Sequence, residues 1–165
     1  MAEESHLVKH WISFNEIFMH AWCAITNIEG QPQHSPNTVQ YSTAKRKIPY
    51  IAAHNMMIAH AKAYRMYDRE YRDAQKGTFG IVVGGRWCTT SSESPEDNAA
   101  ARRAMDWCFN WMVNPICGVE GDYPKSMRRD MSILEQKEQQ EIMPRFTQDQ
   151  MDELKGEQLQ SSLFV

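Results

Sequence analysis

No apolar run in the 165 residues approaches the roughly 18 that a membrane-spanning helix needs. The opening MAEESHLVKH lacks a hydrophobic leader core, so no signal peptide is expected and the compartment stays open. Four cysteines occur (Cys23, Cys88, Cys108, Cys117), none in CxxC spacing, which argues against a zinc or dithiol motif and predicts free or buried thiols. There is no N-x-S/T sequon, no internal repeat and no low-complexity tract. Positive charge is scarce as well: 18 basic against 21 acidic residues give a net charge of −3, and no Lys/Arg stripe marks a nucleic-acid-binding face. The short cluster Lys45-Arg46-Lys47 is expected in a solvated loop. His54 and His60 stand six apart on a predicted helix, on different faces, so they are expected to pack rather than share a metal. No metal and no cofactor are expected.

What is present reads as one globular domain over 1–165, with 42% hydrophobic and 24% charged residues. Residues 8–14 (VKHWISF) are β-branched and aromatic on both sides, as in a parallel strand covered on both faces. The stretch 17–47, containing NIEGQPQHSPNTVQ, reads as a long loop of the kind that carries function. A helix is predicted over about 49–75. Pro49 falls in its first turn, Tyr50, Ala53, Met57, Ala61, Tyr64 and Tyr71 form its apolar stripe, and Gly77 closes it. TFGIVV (78–83) is a second strand, followed by the polar loop GGRWCTTSSE. Ser94, Pro95 and Asp97 then open a second helix, with Trp107 and Trp111 in its apolar stripe as core, and Asn114-Pro115 stops it. After GDYP comes a charged stretch (132–142). The last helix has Thr147 at its N-cap, Gln150 at N3 and Gly156 beyond its end. Two convincing strands alternating with helices make an α/β unit whose sheet edges would stay open.

Asn15-Glu16 stands at the far end of the first strand. Side chains at the carboxyl ends of parallel strands point into the crevice where α/β proteins bind ligands. A Glu there can act as a general acid or can simply cap a turn, and two letters do not separate these readings. Their surroundings do. VKHWISFNEI resembles the W-x-T-x-N-E-P segment of family 1 glycoside hydrolases, the retaining β-glucosidase-like enzymes. HNMMIAHAKAYRMY, QKGTFGIVVGGRW, SPEDNAAARRAMDWCFNWMVNPICGVEGDYPKSM and MPRFTQDQMDELKG resemble that family's following motifs, in order, over about residues 7–156.

The resemblance implies a fragment of a (β/α)8 TIM barrel, about two βα units (strands four and five) plus extra helices, and not a closed barrel. It implies Glu16 as the acid/base carboxylate and Asn15 as the amide that binds the sugar's 2-hydroxyl. Trp87, Phe18, His20 and Trp22 would then be candidates to line the sugar or aglycone site. The family's nucleophile, in a T-E-N-G motif, has no counterpart here. Glu29 in NIEG follows no strand, and Glu120 in VEGDYP matches a structural turn. Ile17 replaces the family's Pro after the Glu, which is expected to relax the loop there. The likeness fails after Gly156, leaving 157–165 as a divergent tail.

A β-glycoside or oligosaccharide is the implied substrate, with no nucleic acid and no membrane span. The expectation is a β-glucosidase-like glycosidase segment that is inactive or nearly so by itself. The alternative is a non-catalytic, truncated barrel that binds a sugar or a partner chain, or self-associates through its open edges. A self-standing α/β binding module unrelated to sugars would have to produce five motifs in register by chance.

Overall fold

The computed structural model describes residues 8–21, 43–155 and 163–164, with the backbone course alone for 43–45 and 163–164. Its centre is a parallel sheet in the order β1-β2-β3. Strand β1 (His10–Ile12) pairs with β2 (Thr78–Val82), His10 opposite Thr78 and Ile12 opposite Gly80. The ladder runs beyond the assigned strands, from Thr78 N donating to Lys9 O (2.7 Å) to Val82 N donating to Phe14 O (3.0 Å). Extended pairing therefore covers most of the predicted 8–14. The expectation of a strand covered on both faces does not hold. Val8, His10 and Ile12 are exposed and Trp11 is half-buried, because β1 is the sheet's edge among the described residues and only its side carrying Trp11 and Ser13 meets helical residues, Gln75 and His60. β3 (Leu163–Phe164) pairs in parallel with Ile81 and Val82, so the predicted divergent tail contributes a third strand.

The predicted loop 17–47 is narrower than its sequence suggests. Residues 17–21 form a helical turn, and helix α1 (Thr43–Glu70) begins six residues before the predicted start, placing Pro49 inside it. The basic cluster at 45–47 is thus helical, and Arg46 Nη1 meets Glu138 Oε1 at 2.6 Å. Ala53, Met57, Ala61 and Tyr64 are buried as the stripe predicts, but Tyr67 completes it and Tyr71 is exposed. Tyr71 marks the break before the short α2 (Arg72–Gln75). The left-handed closing residue is Lys76 (φ 49°), not Gly77. Gly77 answers a different need: a Cβ there would lie 2.6 Å from the Tyr67 hydroxyl and 2.8 Å from Lys9 O.

Helix α3 (Pro95–Met105) opens as predicted, with the Ser94 hydroxyl accepting from Asp97 N at 3.1 Å. It passes through one π-helical turn (Asp106–Asn110) into α4 (Trp111–Cys117). Pro115 does not stop it, since Pro115 and Ile116 are buried and the chain leaves the helix only at Gly118. The charged stretch 132–142 hides the second half of a further helix, α5 (Lys125–Glu138). It has no side-chain cap, and its hold on the core is a narrow stripe: Met127 and Met131 buried, Leu134 packed against them. Helix α6 (Gln148–Leu154) carries the predicted capping box between Thr147 and Gln150, while Gly156 lies outside the described residues.

One core cluster joins these elements, with Ile17, Met57, Tyr64, Ile81, Met112, Met127 and Leu154 fully buried. Arg128 ties α5 to its neighbours. It donates to Asp122 Oδ1 (2.7 Å) and Pro144 O (2.8 Å) and lies 4.6 Å over the Tyr123 ring. Arg65 likewise closes the end of α6, donating to Lys155 O at 2.9 Å.

Both α1 histidines are structural in placement. His60 is fully buried, with Nδ1 2.8 Å from Ser13 Oγ. His54 stacks on Phe146 at 4.1 Å, with Nδ1 3.0 Å from the Tyr123 hydroxyl. Burial pushes His60 down to about 4. His54 is also pushed down to about 4, by burial first and then by the Arg128 charge, with Asp122 opposing. Among the described residues no group of three or more His, Cys, Asp or Glu could hold a metal ion, and no helix is long and apolar enough to cross a membrane.

Two predictions follow from this packing. Arg128→Ala should destabilise the folded chain by about 2–3 kcal/mol, read from denaturant midpoints, because a charged donor to two acceptors and a ring contact go together. Arg128→Lys should recover only part of that loss. The histidines set a pH response. An unfolded imidazole takes its proton near 6.5, whereas these resist protonation down to about 4. Their contribution is therefore complete above about 6.5 and is lost as pH falls from there toward 4, up to about 3 kcal/mol each. His60→Asn should flatten the fall in unfolding free energy over that interval.

Candidate active site

The parallel ladder decides what meets at its carboxyl end. Val82 pairs with Phe14, so two residues further along each chain Glu16 comes against Gly84. A Cβ on Gly84 would lie 3.1 Å from the Glu16 Cγ and 3.5 Å from its Cδ. The bare glycine is the space into which the Glu16 side chain fits. Glu16 itself is in the left-handed region (φ 49°), unusual for a residue with a side chain. Its carbonyl accepts from His20 N at 3.2 Å, so it starts the helical turn 17–21.

Ile17 is fully buried in the core. An apolar side chain one residue after Glu16 thus pins the turn to the core.

Glu16 borders a cavity of about 590 Å³ lined also by Phe18, Met19, Gly84, Gly85, Arg86, Trp107 and Cys108. Glu16 is the single carboxylate among these described residues, and Arg86 is the cation. Phe18 and Trp107 line this cavity and also a neighbouring apolar one of about 500 Å³. Phe18 is half-buried and meets Trp111 edge-on at 6.5 Å.

The other candidates are scattered. Asn15 is exposed, just past the ladder, and outside this lining. His20 is exposed on the helical turn and lines neither cavity. Trp87 is 81% exposed and borders a separate, more polar cavity of about 650 Å³ with Asn98, Arg102 and Asp106. Trp22 and Glu29 lie outside the described residues. Glu120 pairs with Lys125 Nζ at 2.6 Å before α5, away from the Glu16 lining.

Sequence reasoning passed over Gly84, Gly85 and Arg86. The signal was available: a Gly-Gly pair directly after a parallel strand marks close backbone approach at the end where ligands bind. Trp107 was assigned to the core, and it does pack there, but its half-buried ring also walls the cavity. Met19 and Cys108 carried no signal, since only the packing of the helical turn and the π-helical turn brings them to Glu16.

Comparison with known proteins fits this geometry. The model of glycosyl hydrolase family 1 matches residues 1–163. Beta-glucosidase 12 of Oryza sativa subsp. indica is 34% identical over 155 residues, covering 90% of this chain and 28% of its own length. Furcatin hydrolase of Viburnum furcatum is 32% identical over 149 residues, covering 90% of this chain and 26% of its own. Among solved structures, aphid myrosinase superposes with a TM-score of 0.75 at 28% identity, over 92% of this chain and 31% of that one. A rice beta-glucosidase gives 0.71 at 29% identity, over 92% and 30%. The chain thus spans between a quarter and a third of the relatives it matches, and its open parallel sheet is consistent with part of their barrel. It belongs to glycosyl hydrolase family 1.

Proposed function

We propose that this chain carries the acid/base half of a retaining β-glucosidase-like site. The observation that supports it is the placement of Glu16: one carboxylate at the carboxyl end of a parallel strand, set against a glycine, at the edge of a cavity. In a retaining glycosidase such a group protonates the leaving oxygen, then takes a proton from the water that completes hydrolysis. A second carboxylate about 5–5.5 Å away attacks the anomeric carbon from the other face. Glu16 is the donor in this reading, and Asn15 the amide that meets the 2-hydroxyl. The rings of Phe18 and Trp107 offer apolar surface to the leaving group. The attacking carboxylate has no counterpart among the residues lining the cavity. The substrate of the assembled site is a terminal β-linked sugar.

The chain alone should leave 4-nitrophenyl β-glucoside intact. Turnover that vanishes in Glu16→Gln without any other chain present would sink the reading. In a chimera where this segment replaces its counterpart in an active family member, Glu16→Gln should slow glycosides of poor leaving groups far more than dinitrophenyl glycosides. The latter need little protonation to depart. An equal loss for both would remove Glu16 from the acid role.

Gly84→Ala in the same chimera tests the positioning of Glu16. The added methyl must push the side chain by a few tenths of an ångström, so kcat should fall roughly tenfold while the melting temperature stays nearly unchanged.

A further inference from the structure

The apolar cavity next to that of Glu16 holds one polar group that nothing around it satisfies. The cavity, about 500 Å³, lies between α1, the turn 17–21, the π-helical turn and α5, and Phe18, Tyr50, Met127, Met131 and Leu134 are among its walls. Trp111 lines it too and is only 3% exposed, yet its indole Nε1–H has no hydrogen-bond partner among the described residues. An indole N–H can only donate, and a buried one usually finds an acceptor. The ring is held where it is: Phe18 and Tyr50 meet it edge-on at 6.5 and 5.7 Å, and Tyr123 stacks on it at 6.4 Å. Water is a poor substitute for the missing acceptor, since a buried water needs about two to four polar partners and these walls are apolar. The other polar side chains of the lining, Arg46, Tyr50 and Trp107, can all donate, and no carboxylate or amide side chain joins them among the described residues. Arg46 already pairs with Glu138 at 2.6 Å, so it brings no unbalanced charge.

We propose that this cavity is a binding site for a neutral, flat, apolar molecule with one oxygen acceptor, of the aryl ketone class, whose carbonyl accepts from the Trp111 Nε1–H. The rings of such a molecule lie against Phe18, Tyr50 and the α5 methionines, and its carbonyl gives the indole the acceptor that the protein withholds. The volume is that of a small-molecule site, for which about 300–1,000 Å³ is usual. A carboxylate would fit the donors but not the surroundings. It would shed its water among apolar walls beside a guanidinium that is already paired. Phe18 and Trp107 are shared with the Glu16 cavity, but this binding needs nothing from Glu16 and stands or falls apart from its catalytic reading.

The test is a titration of the ¹⁵N-labelled whole chain, followed at the indole N–H resonances of its five tryptophans. The probes are benzophenone, diphenylmethane (the same two rings without the oxygen) and 4-benzoylbenzoate (the same ketone with a charge). Benzophenone should move the Trp111 N–H downfield and saturably, as a new hydrogen bond does. Diphenylmethane should cause no downfield shift, and 4-benzoylbenzoate should bind more weakly than benzophenone. Trp111→Phe should weaken benzophenone roughly tenfold more than diphenylmethane, because only the ketone loses a hydrogen bond. Leu134→Trp, which fills the cavity from α5, should abolish binding of both. The wild-type titration decides the matter even if a variant does not fold. No shift at Trp111, the same shift with diphenylmethane, tighter binding of 4-benzoylbenzoate, an equal loss for both neutral probes in Trp111→Phe, or undiminished binding in Leu134→Trp would overturn the proposal.

Discussion

Everything at the candidate site depends on the parallel pairing of β1 with β2. Parallel strands send both chains out at the same end, and the register fixes which residues meet there. With Val82 bonded to Phe14, Glu16 is delivered to Gly84. A slip of one residue would turn Glu16 to the opposite side of the sheet, because successive side chains alternate. The register is supported along its length. Lys9 Nζ donates to Gln75 O, the Trp11 indole reaches Gln75 Oε1 at 3.2 Å, and Ser13 Oγ lies against the buried His60. One strand end is thus tied to α2 and the other to α1.

The helices convert that pairing into a rigid support. The apolar face of α1 buries Ala53, Met57, Ala61 and Tyr64, and Phe79 of β2 packs among Tyr64, Tyr67 and His60. On the other side of the turn, Ile17 enters the same core, so Glu16 is held between the ladder and a buried anchor. That is how a left-handed backbone at Glu16 persists: its neighbours on both sides are fixed by burial and pairing, and the strain is offset there. The same arrangement leaves one side open. β1 is an edge with exposed Val8 and Ile12, and the relatives that share this segment are three to four times longer.

Much of the fold could be read from local chemistry. The caps at Ser94 and Thr147 are local devices, settled by a side chain and a backbone N–H three residues apart, and both are present as predicted. The α1 stripe was legible because helical period and burial coincide. Helix α5 was not, because its apolar stripe is thin among charges and it has no capping residue. Its identity as a helix depends on partners, the Met127–Met131 stripe inward and Arg128 across to Asp122 and Pro144. Pro115 misled for a similar reason: a local breaker gave way to burial of the turn that contains it.

The sequence by itself determined the family, the parallel βα alternation and the carboxylate at the end of the first strand, since these rest on motifs and on neighbours close along the chain. Tertiary structure alone decided that Gly84 makes room for Glu16, that Ile17 anchors the turn, and that Cys108 and Trp107 wall the cavity. It also decided that Leu163–Phe164 adds a third strand. Each of these joins residues far apart along the chain, and only the sheet register and the packing of helices onto it set which of them touch.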